Sequence, residues 1–332
     1  MNQPYFILPF LVLCFISLTA ASLVLGLQSI SFNEVWLALT STDDSIASLI
    51  VRDLRLPRTL IAIVVGGTLG LAGLLMQTAS KNPLSEPGLL GVNAGAAVAV
   101  VVFISLVGSS NFAVLNFVAV SGALLTTLVV FGFSSLNGPG FGRTEILLVG
   151  SAITGLAAST TQALLILDER SMEDLLFWIA GAFVDRDIAP LIWVSPIVCA
   201  IGVIAYWHHT ALDLLLTDDH LATAMGLNVW RAKIFVFLGA ALLAGICVAM
   251  AGPVGFLGLM APHLARSFGA RQHKHLILAS ILAGTLLALA ADIAARFVIM
   301  PGEAPITAMM AILGVPWIVI QLKRGRLGGA AA

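Results

Sequence analysis

Long apolar runs separated by short polar breaks dominate the chain. Ten are read as helices crossing a bilayer, approximately Tyr5–Leu27, Pro57–Gln77, Leu90–Val107, Ala113–Phe133, Thr144–Leu167, Pro190–Trp207, Ala232–Ala251, Val254–Phe268, His275–Ile299 and Pro305–Leu322. The eighth is short and interrupted by Pro262, so a partial crossing is expected there. "MNQPYFILPF" carries no Lys or Arg, and the run it opens is long for a signal-peptide core, so the first run is read as a true span. In the second run Gly66, Gly70 and Gly73 form a small-residue stripe that lets a helix pack closely on its neighbours. Arg58 precedes Gly66 by eight residues, as Arg231 precedes Gly239, a spacing that fits an inverted repeat.

Composition agrees with the pattern. Of 332 residues, 59% are hydrophobic and 10% charged, with a mean hydropathy of +1.05. A soluble domain carries about 25% charged residues; a chain this apolar is an all-α polytopic membrane protein, one transmembrane domain over 1–332, embedded in a lipid bilayer. The net charge of −1 says little, because the sidedness of charges matters more than their sum; no nucleic-acid partner is expected. Cys14, Cys199 and Cys247 lie inside apolar runs at no metal-ligand spacing and read as small packing residues. The histidines form no zinc pattern, and His273 and His275, in a polar loop, are expected to be solvated.

An even number of spans puts both termini on one side. Lys323, Arg324 and Arg326 mark that side as cytoplasmic. Threading the chain then places ten of its sixteen basic residues inside and six outside, the outer ones being Arg52, Arg55, Arg58, Arg170, Arg186 and Arg296. Asp168, Glu169, Glu173, Asp174, Asp185 and Asp187 fall outside as well. The arginines clustered before the second span are a local exception to the positive-inside pattern.

No Asp, Glu, Lys or Arg lies near the middle of a predicted span, which argues against an ion-coupled secondary transporter. Asp292 and Arg296, four apart near the outer end of span nine, are placed to pair. The neutral interior residues Gln77, Asn93, Ser151, Thr154, Thr160, Thr161 and Gln162 suit either helix–helix glue or a path for a large, partly polar solute. No lysine follows a glycine, so no phosphate-binding Gly-Lys-Ser/Thr turn exists, and ATP chemistry would have to come from a partner. Two connections stand out on the cytoplasmic side. Met76–Ala96 contains Pro83, Pro87 and Gly88, with Gly91 allowing a tight return. Leu212–Lys233 contains Asp218 and Asp219, suited to open a short helix that Gly226 ends. That helix reads either as a lever for a partner or as a segment lying on the lipid surface.

"RLPRTL", "MQTASKNPLSEPGLLGVNAGA", "ATAMGLN", "GPVGFLGLMAPHLAR" and "DIAARF", in this order, resemble the FecCD family of ABC importer permeases, from about Arg52 to the C-terminus. The resemblance implies a type II importer architecture with ten helices per subunit in a bacterial inner membrane. It implies a second permease subunit, two cytoplasmic ATPase subunits that use ATP and Mg, and a periplasmic substrate-binding protein. No catalytic residue, metal or cofactor is expected in this chain itself. By the same resemblance Asp218, Asp219, Ala222 and Gly226 belong to a coupling helix, at about 218–226, that sits in a groove of the ATPase. Arg55, Arg58 and Arg296 match outer-face arginines that dock carboxylates of the binding protein, the alternative being pairing with Asp53 or lipid phosphate. Asn82 and Leu84 match an inner gate. A second gate element at the start of span five, built of small hydroxyl residues in the family's cobalamin member, is represented here by Arg143 and Thr144. The implied cargo is a ferric siderophore, with cobalamin or heme as the alternative.

Overall fold

The computed structural model describes residues 7–41, 45–88, 90–107, 112–135, 143–167, 181–184, 188–299 and 302–323, and among these every regular element is helical. The first span is α1 (Ile7–Val24). It is followed by a short amphipathic helix α2 (Phe32–Thr40) and a single turn α3 (Ile46–Leu49). A π-helical segment, Ile50–Arg55, leads without a break into α4 (Leu56–Ser80). Then come α5 (Val92–Val107), α6 (Phe112–Ser135), α7 (Arg143–Leu167) and α8 (Leu191–Trp207). Two short helices, α9 (His209–Leu215) and α10 (Asp219–Ala224), precede α11 (Val229–Ala251). The chain closes with α12 (Leu257–Ser267), α13 (His273–Val298) and α14 (Ile306–Lys323).

Each expected run corresponds to a helix. Among the described residues five segments are long and apolar enough to cross a membrane unaided, Ile46–Ser80, Val114–Phe133, Leu148–Ile166, Val229–Ala251 and His273–Val298. α8 continues into α9 after a 70° bend, and Leu8–Val24, Val92–Val107 and Ile306–Gln321 are shorter apolar helices. α12 has 11 residues and Pro262 inside it; at 1.5 Å per residue it covers about half of a ~30 Å hydrocarbon core. Tyr5, the acidic residues Asp168, Glu169, Glu173, Asp174, Asp185 and Asp187, and Arg324 and Arg326 lie outside the described residues.

α2 and the π segment were not expected. Ser31 and Glu34 form a capping box, the Glu34 side chain accepting from the Ser31 backbone N–H at 2.7 Å while Ser31 Oγ accepts from Glu34 N–H. The helix buries Val35 and Ala38 and exposes Phe32, Trp36, Leu37 and Leu39.

α4 and α13 form the centre of the bundle, with α11, α12 and α1 packed around them, while α5, α6 and α7 form a second group joined through α11. Every residue of α4 from Val65 to Ser80 is buried, as expected for a helix apolar on all sides. The glycine stripe makes this closeness possible. A Cβ on Gly70 would lie 2.3 Å from Ser280 O, one on Gly73 1.8 Å from Gly258 O, and one on Gly284 2.2 Å from Gly66 O. Backbone therefore lies directly on backbone along α4, α12 and α13. Gly239 makes no such approach, its nearest neighbour being an Ile201 methyl at 3.9 Å, so its spacing from Arg231 does not repeat the packing of Gly66.

Candidate functional site

Chemistry-bearing residues gather at the two ends of the α4–α13 pair. At the end where α4 begins, Asp292 is completely buried between two arginines of different helices. Arg58 Nε donates to Asp292 Oδ1 at 2.7 Å, and Arg296 Nη2 to Asp292 Oδ2 at 2.5 Å. Arg58 Nη1 also reaches Glu303 Oε1 at 2.5 Å, in the connection to α14. Arg296 Nη1 donates to the carbonyls of Ser22 and Leu25, and Nη2 to Ser22 Oγ. Arg55 donates to the carbonyls of Leu23, Val24 and Gln28 at 2.8, 2.6 and 2.5 Å. Two guanidinium groups thus satisfy the carbonyls left open at the C-terminus of α1, where a cation also complements the helix dipole. Arg52 does the same for α2, through Ala38 O at 2.5 Å.

The three arginines matched to outer-face docking positions are bonded internally here. Arg55, Arg58 and Arg296 are 6%, 7% and 5% exposed, and their partners are internal. The Asp292–Arg296 pair forms as its i, i+4 spacing predicts, but its main service is to hold Arg58 as well. The alternative pairing with Asp53 does not occur: Arg58 takes Asp292 and Glu303.

At the opposite end α10 lies where a short capped helix was expected. Asp218 Oδ1 accepts from the backbone N–H of His220 at 2.9 Å and of Leu221 at 3.4 Å. Gly226, at φ +89° with open space around it, follows the last turn. Leu227 N–H there returns to Ala222 O at 3.1 Å. Ala222 is fully buried, while Leu221 and Met225 are exposed. Asp219 faces inward. Its two oxygens accept from Lys81 Nζ at 2.6 Å and Lys233 Nζ at 2.8 Å, fastening α10 to the end of α4 and the start of α11. Lys81 also donates to Thr217 O. Partial burial works to raise the Asp219 carboxyl, but the two lysines outweigh it and hold it below the ordinary carboxylate range.

Asn82 and Leu84 sit beside this clamp, directly after Lys81, whose φ of +51° turns the chain out of α4. Asn82 Oδ1 accepts from Leu84 N–H at 2.9 Å in a local turn that leaves Leu84 exposed. Thr144 falls at the start of α7, and its side chain lies outside the described residues. The polar interior residues divide. Gln77 is buried, accepting from Arg266 Nη1 at 2.7 Å and donating to Leu259 O, and acts as glue. Ser151, Gly155, Ser159 and Gln162 instead form a small, polar stripe along an exposed face of α7.

Two further residues escaped sequence reasoning. His273, expected to be solvated, is completely buried. Its Nδ1 lies 2.6 Å from Asp213 Oδ1 and its Nε2 2.8 Å from Thr78 Oγ1. The surrounding α4 and α9 enclose a position that looks like the polar edge of a loop. Glu86 is also buried, in the connection from α4 to α5. It accepts from the backbone N–H groups of Phe256 and Leu259, where α12 begins. Desolvation pushes the Glu86 carboxyl up to about 7 against the opposing pull of those amides. Phe256 itself is held at φ +64°, unusual for a residue with a side chain.

A bundle of apolar helices with one polar-striped exposed helix and a capped helix presented at one end has the architecture of an importer's membrane permease. The family model of the FecCD transport family matches residues 11–324, and the chain belongs to that family. It is 37% identical to the ferric enterobactin transport system permease protein FepD of Escherichia coli (strain K12), over 97% of this chain and 96% of that one. It is 35% identical to the Fe(3+)-citrate import system permease protein YfmD of Bacillus subtilis (strain 168), over 90% and 87% of the two chains. A solved inward-facing metal-chelate type ABC transporter superimposes with a TM-score of 0.83 at 25% identity, covering 97% of this chain and 99% of that one.

Proposed function

We propose that this chain is the permease subunit of an ATP-driven importer that carries a ferric siderophore across a bacterial inner membrane. Its partners are a second permease subunit, two ATPase subunits on the α10 side and a substrate-binding protein at the opposite end. The observation that carries the reading is α10. It is capped at both termini, anchored by Asp219 to α4 and α11, and turns Leu221 and Met225 outward for a partner. The chain performs no bond chemistry, so the ATPase subunits supply the energy using ATP and Mg, and α10 receives their movement. The exposed stripe of α7 supplies a largely neutral wall for the cargo, and Asn82, Leu84 and Thr144 are placed at its inner mouth.

At the other end Arg58 and Arg296 share two carboxylates, Asp292 and Glu303, and Arg55 beside them bonds only to backbone carbonyls. This cationic excess attracts acidic residues of a binding protein even though the guanidinium groups are internally bonded. The siderophore assignment follows the likeness to FepD. The hemin permease HmuU of Yersinia pestis, 32% identical, supports heme as the second reading. The test is uptake of labelled ferric siderophores, heme and cobalamin in cells lacking only this gene, with complementation. Selective loss of a ferric siderophore upholds the assignment; selective loss of heme or cobalamin replaces the cargo; no loss with any of them sinks the reading.

A further inference from the structure

α9 and α10, of seven and six residues, are too short to hold a position by themselves, and the 70° bend after α8 separates them mechanically from that helix. What fixes them is packing by Leu212 and Leu215, both buried, and two polar attachments. The Asp219 clamp relies on flexible lysine stems and a carboxylate that is 42% exposed. In the second attachment the carboxylate, Asp213, is 38% exposed, but its partner, the His273 ring, is fully enclosed and has no flexible stem. Asp213 Oδ1 accepts from both the backbone N–H of His273 at 3.1 Å and its ring Nδ1 at 2.6 Å. The residue preceding α13, Gln272, makes no side-chain cap, so Asp213 supplies the cap of α13 from a separate element. The other edge of the same ring meets Thr78 on α4. Imidazole places hydrogen-bonding nitrogens on two edges of one rigid ring, which lets a single buried side chain join α9, α13 and α4.

We propose that His273 is a positioning residue of the transport cycle, and that its bond to Asp213 makes the ATPase-facing α9–α10 module move together with the α4–α13 pair. The proposal rests on the importer reading above. α13 extends about 39 Å from His273 to Val298 and carries Asp292 and Arg296 near its far end. The backbone-on-backbone contacts of Gly66, Gly70 and Gly284 pack α4 against α13 with no space for a side chain, which favours their moving as a pair. Movement delivered at His273 is therefore delivered to the Arg58–Asp292–Arg296 cluster.

The test separates the two edges of the ring. In His273→Asn the side-chain amide nitrogen takes the place of the Nδ1 donor and keeps Asp213; in His273→Gln the amide oxygen takes the place of Nε2, the acceptor of a neutral ring that donates from Nδ1, and keeps Thr78. Hydrogen exchange over residues 209–226 is measured on the permease alone in lipid nanodiscs. Exchange is expected to rise in His273→Gln and in Asp213→Ala and to stay near wild type in His273→Asn. In the complex with its ATPase and binding-protein partners, ATP consumed per cargo delivered is expected to rise about fivefold or more in His273→Gln but less than about twofold in His273→Asn. Equal behaviour of the Asn and Gln variants in either measurement overturns the proposal, because a space-filling role does not distinguish them. If Asp213→Ala fails to accumulate, the Asn–Gln comparison decides alone. A wild-type complex without ATP-driven uptake refutes the importer reading instead, and the exchange result still decides whether the latch exists.

Discussion

Each end of the α4–α13 pair holds an aspartate between two cations, but in opposite ways. At one end Asp292 is sealed between Arg58 and Arg296, with rigid, forked guanidinium groups reaching backbone carbonyls of α1 as well. At the other, Asp219 is half-open to solvent and held by two lysines, point charges on flexible stems. The first arrangement tolerates no rearrangement without stranding a charge, whereas the second can give and re-form. The two suit one machine: an end whose parts move as a single unit and, where a nucleotide-driven partner pushes, an attachment that yields.

The strongest way to break this comparison is Asp292→Ala. It leaves two arginines buried without their shared carboxylate, a loss of about 3–5 kcal/mol for an enclosed pair. Failure to accumulate in the membrane, or a large drop in detergent melting temperature, is the expected result. Normal accumulation would mean that the cluster is not the frame of this end.

Glu86 is next. Its carboxyl is raised from 4.5 to about 7 by burial, so the folded state holds the proton more tightly than the unfolded one. Stability is then fully present below the unfolded pKa and is lost as pH rises to about 7, by about 3 kcal/mol in all. Melting of wild type and Glu86→Gln between pH 5 and pH 8 checks this. The wild type should lose stability relative to the variant, and parallel curves would show that Glu86 does not titrate there.

Much of this was legible beforehand, and what was not has a common cause. Apolar periodicity located the ten helices, and the Gly66–Gly73 stripe, the Asp218 cap and the i, i+4 pair at Asp292 and Arg296 are local patterns that the structure repeats. The contacts that were not anticipated join residues far apart in sequence. Arg58 meets Asp292 across 234 positions, His273 meets Asp213 across 60, and Glu86 meets the start of α12. A charged residue in a short polar segment looks solvated until the elements that enclose it are known. α2 is different. The S-x-x-E signature at Ser31–Glu34 was present, but a search for bilayer-length runs passes over nine residues.

Asp219→Asn tests the yielding end. Two ion pairs to a carboxylate this exposed contribute about 1 kcal/mol or less each, so folding and melting should change little. Transport should fall, because α10 loses its attachment to α4 and α11 together. Uptake at the wild-type level would show that the clamp is dispensable and that the packing of Leu212 and Leu215 positions the module.

The smallest structural change sharpens the contrast most. Glu303 is the exposed member of the sealed cluster, its side chain one-third open where Asp292 has no exposure. It occupies Arg58 Nη1, the position that a carboxylate from a binding protein would contest. Glu303→Gln keeps the shape and an acceptor oxygen but removes the charge, so stability should move by no more than about 1 kcal/mol. The end as a whole becomes more positive. Association with an acidic partner should therefore quicken at low salt, and the gain should fade as ionic strength shortens the reach of the field. Binding kinetics at about 20 and 300 mM salt read this directly, since the Debye length falls from about 20 Å to about 6 Å between them. A faster, salt-sensitive association places docking over Arg58. Unchanged kinetics would confine the three arginines to holding α1, α4 and α13 together, and would move the docking surface away from this cluster.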